Sequence, residues 1–504
     1  MMGAADRARH HAGTDVDRSF FDQAFSRAAG AHRITGNRVD LLVDAAENYP
    51  AWLNAIAAAR RYVNFESYIL RDDAAGREFA DALTAKALEG VPVRVLYDWL
   101  GALGKTPSRF WNALRHAGVE VRCFNPFRLA SPLGWIHRDH RKTLTVDGCL
   151  GFVTGLCVGD DWVGHPARGI APWRDTGVAV RGPAVAAIEQ GFRHVWSLIG
   201  PPTRDDDERG TADGPPVAGD MAVRVVASEP YHAGLIRVDA LVAEAARETI
   251  WLHDAYFAGT PTYIQSLRSA ALDGVDVRLL VPGGTDIPIL RPLSRAGYRP
   301  LLEAGVRVFE WNGPMLHAKT SVADGRWARV GSSNLNIASW LGNYEMDVIV
   351  EDERFARAMM EQYLRDLGNA TEVVLRPGRR HLVGRAPLAT SGIERESLRE
   401  RPHARGGGSA GRAAAGAIRL GNTVTAAVTD RRVLARADAR VVVAAGAILI
   451  AAAVVALLWP RVFAIPFALF MTWFGGALLV RAYRLRRPRQ PSGVAQAGST
   501  SASR

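Results

Sequence analysis

A chain of 504 residues, 48% of them apolar, has material for two or more domains with sizeable cores. Its three cysteines, Cys123, Cys149 and Cys157, exclude a full disulfide framework and fit buried thiols in a reducing compartment. The net charge of +11 divides unevenly: residues 376–504 hold 21 arginines and 5 acidic groups, which leaves residues 1–375 at −5 and argues against a basic groove for nucleic acid.

Residues 1–36 are polar and begin without the apolar stretch of a secretory signal. From 37 to 200, apolar runs alternate with helical patterns. Residues 62–67 read as a strand, 78–89 as an amphipathic helix stopped by Gly90, and 91–97 as a buried strand. Residues 201–219 form a polar linker rich in Pro, Gly and Asp. From 220 to 375 the alternation returns, with 249–254 and 275–281 as strands around a helix at 263–272. The halves repeat each other. GVPVRVLYD at Gly90 and AGVEV at Ala117 answer GVDVRLLVP at Gly274 and AGVRV at Ala304. A repeat of this size predicts two duplicated α/β domains, each a mixed sheet flanked by helices, around a shared cleft.

Residues 376–440 are rich in Arg, Gly and Ala and read as a linker. Two apolar runs follow, 441–459 and 462–480, and then a basic tail at 481–504. Each run is just long enough to cross a hydrocarbon core. Arg431, Arg432, Arg436 and Arg440 precede them, Arg481, Arg484, Arg486, Arg487 and Arg489 follow, and Arg461 alone sits at the tip. That bias predicts a two-span membrane hairpin with both ends, and the α/β domains, on the cytoplasmic side. A re-entrant hairpin and a buried soluble one are the alternatives.

The most specific signal is a doubled His-x-Lys-x-x-x-x-Asp pattern: His140, Lys142 and Asp147, then His317, Lys319 and Asp324. The chain has only four lysines, and two of them stand in these motifs. On a strand, residues i and i+2 share a face, so each histidine projects with its lysine. A cleft between the halves would join two imidazoles and two ammonium groups. Such a site suits a phosphodiester. The ammonium groups hold its oxygens, one imidazole attacks phosphorus, and the other moves the proton of the alcohol. No metal-ligand cluster stands out, and neither metal nor cofactor is required. Asp147 and Asp324 each precede glycine and are expected to brace turns. Asp175 in the first half and Glu345 in the second follow their histidines by about thirty residues and can fix the imidazole tautomers. Ser332 and Asn334, after Gly331, can donate to phosphoryl oxygens; the matching stretch of the first half has Cys157 instead of an amide. His137, His165 and His253 are expected to be structural neighbours.

These motifs resemble those of the phospholipase D superfamily, whose signature is the doubled pattern. With YIL at Tyr68, WRD at Trp173 and NYEMD at Asn343, they are similar to the bacterial cardiolipin synthase and phosphatidyltransferase group. The resemblance covers roughly 37–375. It implies a phosphohistidine on His140, with His317 as proton donor. It also implies Lys142, Lys319, Ser332 and Asn334 as phosphate ligands, and Asp175 and Glu345 as orienting groups. The implied activity is phosphatidyl transfer at a membrane, with phosphatidylglycerol as donor and acceptor and an anionic glycerophospholipid as the bound partner. Phospholipid hydrolysis is the alternative; a nuclease or a non-catalytic membrane protein follows. The chain departs from the group by carrying its apolar hairpin C-terminally and by having Cys157 where an asparagine is usual.

Overall fold

The computed structural model describes residues 22–127, 136–203, 214–287, 290–375, 454–455, 457–458 and 460–486. Seven strands of the first half are β1 (Ile34–Val43), β2 (Val63–Ser67), β3 (Val93–Asp98), β4 (Glu120–Phe124), β5 (Lys142–Val146), β6 (Leu150–Thr154) and β7 (Thr176–Arg181). The second half repeats them as β8 (Met221–Ser228), β9 (Thr249–His253), β10 (Asp276–Pro282), β11 (Arg307–Trp311), β12 (Thr320–Ala323), β13 (Trp327–Gly331) and β14 (Glu345–Glu351), and adds β15 (Ala370–Val373) at its edge. All form one sheet in the order β15-β11-β10-β9-β12-β13-β14-β8-β1-β7-β6-β5-β2-β3-β4. Read outward from the β1–β8 pair, the two halves have the same order. The runs β2-β3-β4 and β9-β10-β11 are parallel, and the strands nearer the centre are antiparallel.

The repeated sequence accounts for the repeated geometry. In each half a helix ends at a glycine and a parallel strand follows. Gly90 and Gly274 take φ of +86° and +98° there, a conformation in which a side chain would be strained. Helices Asp44–Ala58 and Ala74–Leu88 cover one face of the first half through Trp52, Ile56, Phe79 and Leu83. Gly234–Ala245 and Pro261–Leu272 do the same in the second through Leu235, Val238 and Leu267. On the opposite face, helices Ala184–Leu198 and Glu353–Leu367 close a core shared by both halves, with Val153, Val178, Val223, Val330 and Val348 inside it.

Two differences from the sequence expectation stand out. Residues 22–29, within the stretch expected to be a polar arm, form a helix, and Ala28 and Ala29 are buried in the core of the second half. A few small apolar side chains inside a charged segment are enough to dock one turn. The second concerns the C-terminal part. The apolar run 462–480 lies within helix Pro460–Arg486. The run 441–459 and the linker 376–440 fall outside the described residues, apart from 454–455 and 457–458. Among the described residues no helix is long and apolar enough to cross a membrane, so the expected pair of spans is not found there.

Candidate active site

Each histidine sits just ahead of a central strand, on a segment that reaches across to the other half. Asp139 bridges Tyr344, and the His140 N–H donates to the Tyr344 carbonyl at 2.9 Å. Leu316 bridges Arg174, and the His317 N–H donates to the Arg174 carbonyl at 2.7 Å. Each histidine is thereby fixed next to the acid that follows its partner. His140 Nδ1 donates to Glu345 Oε2 at 3.0 Å, and His317 Nδ1 donates to Asp175 Oδ2 at 2.7 Å. The sequence reading paired acid and histidine within a half; the structure exchanges them. β7 and β14 flank the β1–β8 centre, so the acids at their starts meet the segment coming from the opposite half.

Electrostatics fix the resting state of the two rings. Burial pushes the His317 imidazole down to about 4, and the Lys319 ammonium adds to the effect against the pull of Asp175. His140 is lowered in the same way, by burial first, with Glu345 opposing and Lys142 assisting. Burial alone would raise Asp175, but His317 and Lys319 more than offset it and hold it at about 2. Glu345 is lowered against its own burial by His140 and Lys142. At neutral pH, then, both acids are ionised and both imidazoles neutral, with Nδ1–H committed and Nε2 left as a base or nucleophile. Lys142 and Lys319 are buried, and each ammonium donates to the carbonyl of the histidine two residues before it. Lys142 lies 5.2 Å from the ring of Tyr68 and Lys319 lies 5.9 Å from the ring of Tyr256. Burial lowers Lys319 to about 8.

The remaining sequence candidates divide. Ser332 is buried, and its hydroxyl donates to Glu345 Oε2 at 2.5 Å. Asn343 Nδ2 donates to the other oxygen of the same carboxylate at 3.1 Å. The first half solves the same problem differently. Trp162 Nε1 donates to Asp175 Oδ2 at 3.1 Å, and Gly155 lies so close that an added Cβ would fall 2.2 Å from Asp175 Oδ1. Asn334 does line the pocket, and its Oδ1 is buried without a hydrogen-bond partner. Asp147 and Asp324, counted among the motif residues, stand at the far turns of β5–β6 and β12–β13, with φ of 56° and 49°. Asp147 accepts the N–H groups of Arg60, Arg61 and Tyr62, and Asp324 those of Arg247, Glu248 and Thr249. Both carboxylates are engaged by backbone N–H groups at these turns. His253 is buried between Thr320 and Asp366, away from the pocket lining. Among the described residues no group of His, Cys, Asp and Glu could hold a metal ion.

His140 and His317 open into one pocket of ≈ 630 Å³, which Tyr68, Tyr256, Trp162, Trp173 and Cys157 also line. Tyr68 meets His140 edge-on at 4.9 Å, and Tyr256 meets His317 at 6.0 Å. This aromatic wall escaped the sequence reading. Its signal was the repeat itself, because Glu-Ser-Tyr at Glu66 and Asp-Ala-Tyr at Asp254 end equivalent strands.

The likeness to known proteins agrees with this geometry. Residues 52–159 and 242–367 match the family model described as "Cardiolipin synthase, PLD-like domain". The cardiolipin synthase of Alkalihalophilus pseudofirmus is 33% identical over 352 residues, which cover 68% of this chain and 70% of that one. Cardiolipin synthase A of Pseudomonas fluorescens is 35% identical over 350 residues, with the same shares. The chain belongs to the cardiolipin synthase family of phospholipase D-like enzymes. Among solved structures, the phosphatidylserine synthase of Haemophilus influenzae covers 69% of this chain and 92% of its own, with a TM-score of 0.54 at 14% identity, which shows the shared fold. In the first half of the site Cys157 is a buried thiol that burial pushes up and so keeps protonated.

Proposed function

We propose that this enzyme transfers a phosphatidyl group between alcohols through a phosphohistidine, with phosphatidylglycerol as donor and acceptor, and so makes cardiolipin. One observation carries the reading. Two imidazoles, each oriented by an acid of the opposite half, open into a single pocket beside two buried lysines. The arriving phosphodiester is anionic, which favours a proton on one ring. His140 Nε2 attacks phosphorus, an N–P bond forms and the P–O bond to glycerol breaks. His317 gives its proton to the departing alkoxide. The acceptor hydroxyl then returns its proton to His317 while its oxygen attacks phosphorus and the N–P bond breaks. Lys142, Lys319 and Asn334 hold the oxygens on which charge gathers.

The C-terminal apolar runs, 441–459 and 462–480, hold the enzyme at the cytoplasmic face of a cell membrane. The arginine flanks support this, as do Ile465, Phe467, Leu469 and Leu479, which a helix leaves exposed for lipid to cover.

Purified full-length protein in phosphatidylglycerol vesicles tests the reaction. Mass spectrometry should find cardiolipin and free glycerol, with both His140→Ala and His317→Ala slower by about 10³-fold or more. Phosphatidic acid in place of cardiolipin would mean that water is the acceptor. No lipid product at all from the unaltered enzyme would refute the reading.

A further inference from the structure

We infer that the first-half edge of the pocket is a second anion subsite, formed by Lys105 and Arg71, that holds the non-reacting phosphodiester of the acceptor lipid. The inference rests on the transfer reading above and adds to it the chemistry by which the acceptor is chosen. Both residues line the pocket that His140 and His317 share. They belong to one packed unit. The Thr106 hydroxyl donates to the Leu70 carbonyl, which ties the Lys105 loop to the segment carrying Arg71. Gly101, in the helical turn just before that loop, is pressed so tightly on this segment that an added Cβ would fall 1.9 Å from the Tyr68 carbonyl oxygen. Tyr68 in turn packs on His140. The subsite is therefore braced against the catalytic ring rather than borne on a loose loop.

Its charge is available. Lys105 is exposed, and its ammonium has no ion pair or hydrogen bond among the described residues. Arg71 pairs with Asp161 at 2.5 Å, but its Nε is buried without a partner. The free Lys105 ammonium, with the Arg71 guanidinium on the same pocket lining, is a match for a phosphodiester anion. The second-half residues of the lining have the reverse character. There Tyr256 donates to Asp286 at 2.7 Å, and Asp286 and Asn336 line the pocket. They offer acceptors and an amide to a hydroxyl-bearing group and repel a second phosphate. An acceptor with an anionic diester at one end of a glycerol and a hydroxyl at the other fits this polarity; a neutral alcohol leaves the cationic edge unused.

The experiment uses the full-length enzyme in phosphatidylglycerol vesicles, with and without ethanol as a neutral acceptor. Lys105→Glu should lower cardiolipin formation about tenfold, leave phosphatidylethanol formation within twofold, and be largely rescued in Lys105→Arg. Arg71→Gln should shift the same product ratio in the same direction. Inorganic phosphate, the soluble source of the same chemistry, should compete against cardiolipin formation and spare phosphatidylethanol. Equal loss of both products, or an unchanged ratio, would overturn the subsite while leaving the transfer reading intact. Inhibition by phosphate of both products alike would assign the anion to the catalytic centre and also overturn it. Absence of both products from the unaltered enzyme would remove the transfer reading and this inference with it.

Discussion

At the scale of single residues the site is two imidazoles and two carboxylates that exchange partners. In the proposed reaction the carboxylates keep Nδ1–H in place and stabilise the imidazolium as it forms, so their charge matters more than their shape. Glu345→Gln and Asp175→Asn should therefore fold, bind lipid with a KM within a few-fold of the parent, and lose about 10²- to 10⁴-fold in kcat, as vesicle assays would report. Acid stability should show the same pair. The folded pKa of His317 is about 4, below the ordinary 6.5, so between those values the unfolded chain binds the extra proton. Stability then falls as pH drops through that window, by up to about 3 kcal/mol from this group. Asp175, held at about 2, acts only lower, losing its contribution as pH falls from about 4. Urea titrations between pH 7 and 4.5 should show the slope, and His317→Gln should flatten it; an unchanged slope would place the titration elsewhere. The twin motifs made His140 and His317 legible in the sequence, because the pattern stands whole in both halves, although both histidines sit just ahead of their strands rather than on them. The exchange of acids was not legible, because distance along the chain does not say which half a strand start faces. The bond from Ser332 to Glu345 was not legible for a related reason. A hydroxyl beside a phosphate site and a hydroxyl beside the acid that serves it look alike in sequence.

At the scale of elements the motif hairpins, β5–β6 and β12–β13, present chemistry at one end and a brace at the other. Asp147 and Asp324 each gather three backbone N–H groups around a turn in a left-handed conformation. Hydrogen bonds to a charged acceptor contribute about 1.5–3 kcal/mol each, less when shared. Asp324→Ala should cost about 3 kcal/mol in urea unfolding and leave kcat/KM within about threefold wherever the protein remains folded. A loss of 10³-fold in a folded variant would instead place this carboxylate in the chemistry. The alternating strands and helices were readable from glycine stops and apolar runs. The structure shifts their bounds by a few residues, with a helix at Ala74–Leu88 where 78–89 was expected. The helix at 22–29 was not readable, since its case rests on contacts with the distant second half rather than on its own periodicity.

At the scale of the molecule, residues 22–375 do not behave as two beads on a string. β1 pairs with β7 on one side and β8 on the other, so one sheet runs through both halves. The buried guanidinium of Arg141 donates to the carbonyls of Glu345, Gly191 and Ser228 at 3.2, 2.7 and 3.1 Å. Arg174, buried as well, pairs with Asp366 at 2.9 Å. Separating the halves would take Asp366 from Arg174 and the Glu345 and Ser228 carbonyls from Arg141, and breaking a buried ion pair costs about 3–5 kcal/mol. It would also open the core that Val153 and Val178 share with Val330 and Val348. A chain of this length often unfolds domain by domain. Here the cross-links predict a single transition. Far-ultraviolet circular dichroism, tryptophan fluorescence and transfer activity should follow one curve in urea, with Arg141→Ala moving all three together to lower concentration. Two resolved steps, or activity outlasting the first of them, would mean that one half holds its shape without the other. That outcome is hard to reconcile with the geometry: His140 takes its orienting acid from β14 and His317 takes its own from β7, so neither ring is set for chemistry until both halves are in place.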